Sequence, residues 1–389
     1  MFQTYVSCHL WDLVDEGIDE VLGRLKGEAG ADGVSVTVAC PRVGLLRPHR
    51  GVSPRTFRSE GGLQFQPNKD AYAATRLRPV VAEWLRKTNP LAAVAEGCER
   101  LGLSLRGRIV GCHSEALASR HQFVAVKDVF GDLHPAWLCP SNPDVREYLR
   151  ALVSDLSTSY PFAALEIEAA SFPPAGGRNW GRETCADLGP TGEWLLGLCF
   201  CESCRQAATG EGIDAAAAAR SATVLLERAL ATGEPVPKSV EALVASDQIL
   251  GDYTAWGVRQ VTGLIELLRG ACRCRLVVRR AGDRLTTGSD FAAISAHCDA
   301  LLTSPPEPAD EVEPVVQAAV ADAGELGKVE VGVSACAPAC PDSTTLVRAL
   351  STAARLGVRT AVVENYGLLP TRRLDWIKQA ARYAVRESE

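Results

Sequence analysis

The chain lacks the features that would direct it to a nucleic acid or a membrane. Lys and Arg number 41 against 47 Asp and Glu, giving a net charge of −6 and a pI near 5.7, and no lysine-rich run or basic tail stands out. Without a basic face, little counterion release from phosphate is available, so polyanion binding is excluded as a leading function. Nowhere do about 18 apolar residues run together. The opening Met1-Phe-Gln-Thr-Tyr-Val-Ser-Cys-His-Leu-Trp-Asp12 has neither a basic n-region nor an apolar h-region, so the expectation is a soluble, cytoplasmic protein. Gly-x-Gly-x-x-Gly and Walker patterns are missing too, which disfavours nucleotide cofactors and the open doubly wound sheet that uses them. Histidines are scarce, six in 389 residues with no His-x-His, so a histidine-rich catalytic metal centre has little to build on.

Cysteine, by contrast, is abundant. Fourteen are present, and in a chain of this kind buried thiols and metal ligands are expected before a disulfide framework. Cys8, Cys40, Cys98, Cys112 and Cys298 sit in apolar contexts and read as small core hydrophobes. The pairs Cys272/Cys274 and Cys336/Cys340 each lack a third neighbour. One cluster differs. In Leu198-Cys-Phe-Cys-Glu-Ser-Cys-Arg205 three thiols follow C-x-C-x-x-C spacing, which suits a tetrahedral Zn²⁺ and requires a fourth ligand from elsewhere.

Short β-branched runs alternate with longer amphipathic stretches, the pattern of parallel βα units. Strands are expected at 4–10, 33–39, 105–112, 163–168, 275–279, 300–303, 329–333 and 360–364. Helices are expected at 16–28, 90–101, 143–157, 239–269, 311–323, 343–356 and 372–386. Asn142-Pro143 and Asp342-Ser343 supply N-terminal caps, while Gly102, Gly270 and Gly357 suit left-handed helix ends. Eight such units predict a (β/α)₈ TIM barrel, a single domain over 1–389. Long insertions follow strand 2 (41–89) and strand 4 (171–238), the latter carrying the cysteine cluster; the alanine run at 214–220 is ordinary helix-forming sequence.

The segment Cys139-Pro-Ser-Asn-Pro-Asp-Val-Arg-Glu-Tyr148, followed by a helix, a strand and the C-x-C-x-x-C, resembles the family 42 glycoside hydrolases, the β-galactosidases. It also looks like the related glycoside-hydrolase-like barrel proteins, whose eighth strand Val363-Glu-Asn-Tyr-Gly-Leu-Leu-Pro370 resembles. The resemblance implies one structural zinc held by Cys139, Cys199, Cys201 and Cys204, with Cys185 the reserve for the fourth position. It implies a carbohydrate substrate and a pair of carboxylates across the scissile bond.

Alternation in Ala164-Leu-Glu-Ile-Glu168 sends Leu165 and Ile167 to one face and Glu166 and Glu168 to the other, toward the barrel axis. Glu168, at the strand's C-terminal end, matches the family's acid/base glutamate. Its neighbour Glu166 could raise one of the two pKa values by like-charge proximity; the bland alternative is a buried pair neutralised by Arg106, Arg108 or Arg279. The family's nucleophile, a glutamate ending strand 7, is absent: Val329-Glu-Val-Gly-Val-Ser-Ala-Cys336 has Glu330 at the wrong end. Glu364 or Asp12 are the replacements. His113, Glu115, Asp283, Asn365 and Tyr366 would line the mouth for sugar hydroxyls, and Trp180 or Trp137 would stack on a pyranose face. The leading expectation is a glycoside hydrolase using carboxylate acid/base catalysis. A catalytically degenerate carbohydrate-binding barrel is the second, and a sugar isomerase or lyase with a metal on His113, Glu168 and Asp283 the third. A homo-oligomer is compatible with all three.

Overall fold

Every expected strand forms and pairs in parallel with its sequence neighbour, and the first pairs with the last. The computed structural model describes residues 1–49, 51–85, 88–175 and 185–389. Its barrel strands are β1 (Gln3–His9), β2 (Gly33–Cys40), β3 (Ser104–Val110), β4 (Ala164–Glu168), β5 (Arg275–Arg280), β6 (Ala300–Thr303), β7 (Val329–Ser334) and β8 (Thr360–Glu364). β1 pairs with β2 through Tyr5↔Gly33 and with β8 through Gln3↔Thr360, so the eight-stranded parallel sheet closes into a TIM barrel.

Helices cover the outside. Ile18–Gly27, Pro90–Leu101, Pro143–Ser159, Gln248–Ala271, Val312–Ala323, Ser343–Arg355 and Arg373–Glu387 alternate with the strands, and only the four-residue turn Phe291–Ile294 with a 3₁₀ turn stands between β5 and β6. The caps work as their residue types dictate. The Asn142 side chain accepts from the N–H groups of Asp144 (2.9 Å) and Val145 (3.3 Å) ahead of Pro143, and Asp342 accepts from Thr345 at 2.8 Å. Gly102 and Gly357 take positive φ after their helices. Gly270 does not: it lies inside Gln248–Ala271, which ends on Cys272. The stretch expected as one helix at 239–269 is two, Val240–Ser246 and Gln248–Ala271, because the Asp247 side chain caps the second by accepting from Ile249 and Leu250. Likewise a short helix, Leu10–Glu16, precedes Ile18–Gly27 across Gly17 at φ 93°.

The insertion after β2 contributes a hairpin, Val43–Leu46 with Thr56–Ser59, and a two-residue strand antiparallel to β2. A second hairpin, Ala125–Lys127 with Leu133–Leu138, follows β3. After β4 come helices Gly189–Gly197, Glu202–Gly210 and Ala215–Thr232, the last beginning in the alanine run. Among the described residues no helix is long and apolar enough to cross a membrane.

Outward-facing Val6, Val36, Ile109, Leu165, Ile167, Val331 and Val363 are buried under the helices, and Cys8, Cys40, Cys98, Cys112 and Cys298 are buried with free thiols. Inside the barrel the apolar layer is thin: Tyr5, Ala164, Val277, Ala300, Leu302 and Val362. Much of the interior is charged. Arg106 bonds Glu330 at 2.7 Å, lies 4.4 Å over the Tyr5 ring, and shares Glu330 with Arg275 at 3.2 Å.

Candidate active site

At the C-terminal ends of the strands, alternation brings Glu166 and Glu168 of β4, Glu364 of β8, Arg108 of β3 and Arg279 of β5 into one network. Arg279 donates from Nε to Glu166 at 2.8 Å, its Nη2 forms ion pairs with Glu166 at 2.7 Å and Glu364 at 2.5 Å, and it stands 3.7 Å from Glu168. Arg108 donates from Nε to Glu168 at 2.9 Å and again from Nη2, with Glu166 at 3.7 Å and Glu364 at 4.0 Å. Three carboxylates therefore surround two guanidinium groups, leaving one net negative charge. Glu166 is the inner member; the side chains of Glu168 and Glu364 retain 26% and 22% exposure, enough to meet a ligand.

The like-charge argument for a raised glutamate pKa fails here. Burial pushes the Glu166 carboxyl up, but the charges of Arg279 and Arg108 outweigh it and hold it below the ordinary value. Neutralisation by arginine is what the site contains. Glu166 Oε2 and His9 Nδ1 are buried without a hydrogen-bond partner. His9 ends β1 and stacks on Trp11 at 4.2 Å; burial and then the Arg108 charge push its imidazole down to about 3, so it is neutral at ordinary pH. Sequence reasoning passed over it, although the alternation Tyr5, Ser7, His9 points it inward. Trp11 continues an aromatic wall to Phe57 (4.6 Å) and Trp84 (6.3 Å), supplied by the strand-2 insertion.

Other expected site residues have different surroundings. Asp12 is 2% exposed, accepts from the His9 N–H at 3.3 Å and is pushed up to about 7 by burial. A Cβ on Gly367 would come within 2.1 Å of its Oδ2, so the turn after β8 roofs it over. Tyr366 is fully buried, and its hydroxyl is engaged by Arg24 (2.6 Å) and Glu16 (3.1 Å) away from the mouth. Asn365 accepts from the Gly367 N–H at 3.2 Å. Asp283 shapes its own turn, accepting from Leu285 and Thr286 backbone N–H groups at 2.8 and 2.9 Å. His113 lies 3.4 Å from Glu115 and stacks on Trp137 at 4.8 Å, whose indole N–H is spent on the Ser171 carbonyl. Trp180 lies outside the described residues. Among the described residues His113, Glu168 and Asp283 do not gather as a metal-type cluster.

The cysteines do gather. Sγ atoms of Cys139, Cys199, Cys201 and Cys204 all lie within 4.8 Å of one another, all four residues are buried, and Cys139 and Cys204 are 3.4 Å apart. A tetrahedral thiolate site with bonds of about 2.3 Å requires sulfurs about 3.8 Å apart, so this donor set could hold a metal ion. Local structure fixes it: the Tyr253 hydroxyl donates to the Cys199 carbonyl at 2.5 Å, and Phe200 N–H to Lys127 O at 2.7 Å. Cys185 is exposed and takes no part.

No family model and no curated protein matches this chain. Solved structures do. Alpha-L-fucosidase isoenzyme 2 from Paenibacillus thiaminolyticus aligns with TM-score 0.58 and 11% identity over 98% of this chain and 49% of its own. The β-galactosidases of Marinomonas ef1 (TM-score 0.57, 12% identity, 99% of this chain, 59% of theirs) and Halorubrum lacusprofundi (0.55, 12%, 99%, 58%) align similarly. The chain thus spans about half to three-fifths of the length of these neighbours. At such identities the likeness is one of fold: the chain is built as a TIM barrel of the kind found in these glycoside hydrolases.

Proposed function

We propose that the protein is a glycoside-hydrolase-like enzyme acting on a carbohydrate at the barrel mouth, with Glu168 as general acid and Glu364 as base or nucleophile. One observation carries this reading: both carboxylates reach the same guanidinium group of Arg279, so their oxygens stand less than about 9 Å apart, below the upper limit of the span two-carboxylate glycosidases use. β7 ends on Ser334, and Ser334 is paired in register with Glu364. The glutamate missing from strand 7 is thereby replaced from the adjacent strand. Glu364 stands against Arg279 as the base or nucleophile; Glu168, once Arg108 moves off it and it takes a proton from solvent, gives that proton to the glycosidic oxygen. Glu166 positions Arg279, and neutral His9 offers a hydrogen bond to a sugar hydroxyl. Asp12 acts from beneath as a support. Cys139, Cys199, Cys201 and Cys204 would hold a structural zinc, since four protein thiolates leave no open position for chemistry.

A panel of aryl glycosides tests the reading. On the substrate that is turned over, Glu168→Gln and Glu364→Gln should each lower kcat by at least about 10²-fold; wild-type rates in either variant overturn it. The pairing of all three carboxylates with guanidinium groups favours a second reading, a barrel that binds sugar without turning it over. Heat of binding to a monosaccharide with no hydrolysis of any panel member would select it.

A further inference from the structure

Cys272 and Cys274 belong neither to the mouth nor to the four-cysteine cluster. They flank Arg273 at the foot of β5, the end opposite Arg279, where helix Gln248–Ala271 hands over to the strand. Their sulfurs are 3.7 Å apart, and Cys272 Sγ also lies 3.4 Å from the Cys274 carbonyl. Cys272 is 8% exposed, and Cys274 is partly exposed, unlike the core thiols Cys8, Cys98 and Cys112. The hydrogen bond from Cys272 pulls the Cys274 thiol below its ordinary value; burial opposes this, and the Leu165 backbone N–H and Arg269 reinforce it. The same hydrogen bond, with burial, pushes Cys272 up. One sulfur is thus set up as the thiolate nucleophile and the other as its proton-bearing neighbour.

We propose that this pair is a reversible oxidation site for a small hydroperoxide. The Cys274 thiolate attacks the outer peroxide oxygen, the O–O bond breaks, and the departing alkoxide or hydroxide takes up a proton, leaving Cys274 as a sulfenic acid. Cys272, deprotonated, attacks that sulfur; an S–S bond forms and hydroxide leaves to become water. Two thiols and one hydroperoxide give one disulfide, one alcohol or water, and one water, the thiols supplying both electrons. Closing 3.7 Å to a bond of about 2.05 Å takes side-chain rotation of two residues in the connection between helix and strand.

Trypsin makes the site readable in the full-length protein, because Arg269, Arg273 and Arg275 bracket each cysteine separately. Reduced protein should yield Cys272 and Cys274 as separate alkylated peptides. After hydrogen peroxide and quenching, residues 270–275 should appear as one disulfide-containing species, restored to separate alkylated peptides by dithiothreitol. In unoxidised protein, Cys274 should be alkylated at least about tenfold faster than Cys98. Cys272→Ser should let dimedone capture a sulfenic acid on Cys274, while Cys274→Ser should leave Cys272 unlabelled. The proposal is overturned if both thiols remain alkylatable after peroxide, or if Cys272 labels as readily as Cys274 in the paired variants.

Discussion

Replacing Arg279 with Met removes one of the two cations that touch all three mouth carboxylates, the one bonded most closely to Glu166, while keeping much of the side-chain volume. Arg279 and Glu166 are both nearly solvent-free, at 4% and 3% side-chain exposure, so the substitution strands a buried carboxylate. Breaking such a pair from one side costs about 3–5 kcal/mol; Arg108, 3.7 Å from Glu166, remains and puts the expected loss near the lower end. Urea unfolding at pH 7 should therefore show Arg279→Met less stable by about 3 kcal/mol. Adding Glu166→Gln removes the stranded charge and should recover about 2 kcal/mol of that, a non-additivity expected only of partners. The pH dependence has a definite sign. Because the folded-state pKa of Glu166 lies below its unfolded value, its ionic contribution is present above about pH 4.3 and is lost as pH falls through the folded value, so the gap between wild type and Arg279→Met narrows in acid. A single variant within 0.5 kcal/mol of wild type, or a double variant no more stable than the single, would refute the claim that arginine holds these carboxylates.

Cys199→Ser should abolish one equivalent of tightly bound metal and lower the melting temperature, while Cys185→Ser should change neither; metal content by plasma mass spectrometry decides. Asp12, pushed up to about 7, disfavours the folded state increasingly between about pH 4 and 7, since only the unfolded chain has lost its proton there. Stability of Asp12→Asn relative to wild type should thus grow by about 4 kcal/mol over that range, and a flat difference would show that Asp12 ionises freely. Gly367→Ala places a methyl against the Asp12 carboxyl and should cost about 1–3 kcal/mol by thermal unfolding, partly relieved by Asp12→Ser.

The strands were legible because each pairs a β-branched run with a flanking turn, and a parallel barrel buries both faces of that run. Period-two alternation carried the inward direction of Glu166, Glu168 and Glu364 correctly, since all three lie within strands. It misled at Tyr366, where the strand has ended and the 3₁₀ turn Tyr366–Leu368 rotates the side chain to the helix side. Asp283, three residues past β5, lies in a turn of its own making, beyond the reach of alternation. The hairpin at Val43–Leu46 and Thr56–Ser59 escaped notice because its short strands are mixed with Arg, Gly and Ser rather than patterned. Arg108 and Arg279 do neutralise Glu166 and Glu168 as the sequence allowed, but Arg106, a third candidate for them, bonds Glu330 instead; those two are 224 positions apart, and only barrel closure makes them neighbours.

That separation bears on how the chain acquires its structure. Ion pairs stitch the first four strands to the last four, the most buried being Arg106 to Glu330 and Glu166 to Arg279. An isolated N-terminal half would hold Arg106 without Glu330, and Glu166 with Arg108 but without Arg279. During synthesis those groups emerge long before their partners, so a dry half-barrel gains little by forming early. The interior charges thereby make completion of the last strands a condition for desolvating the first, coupling the two halves into one cooperative transition.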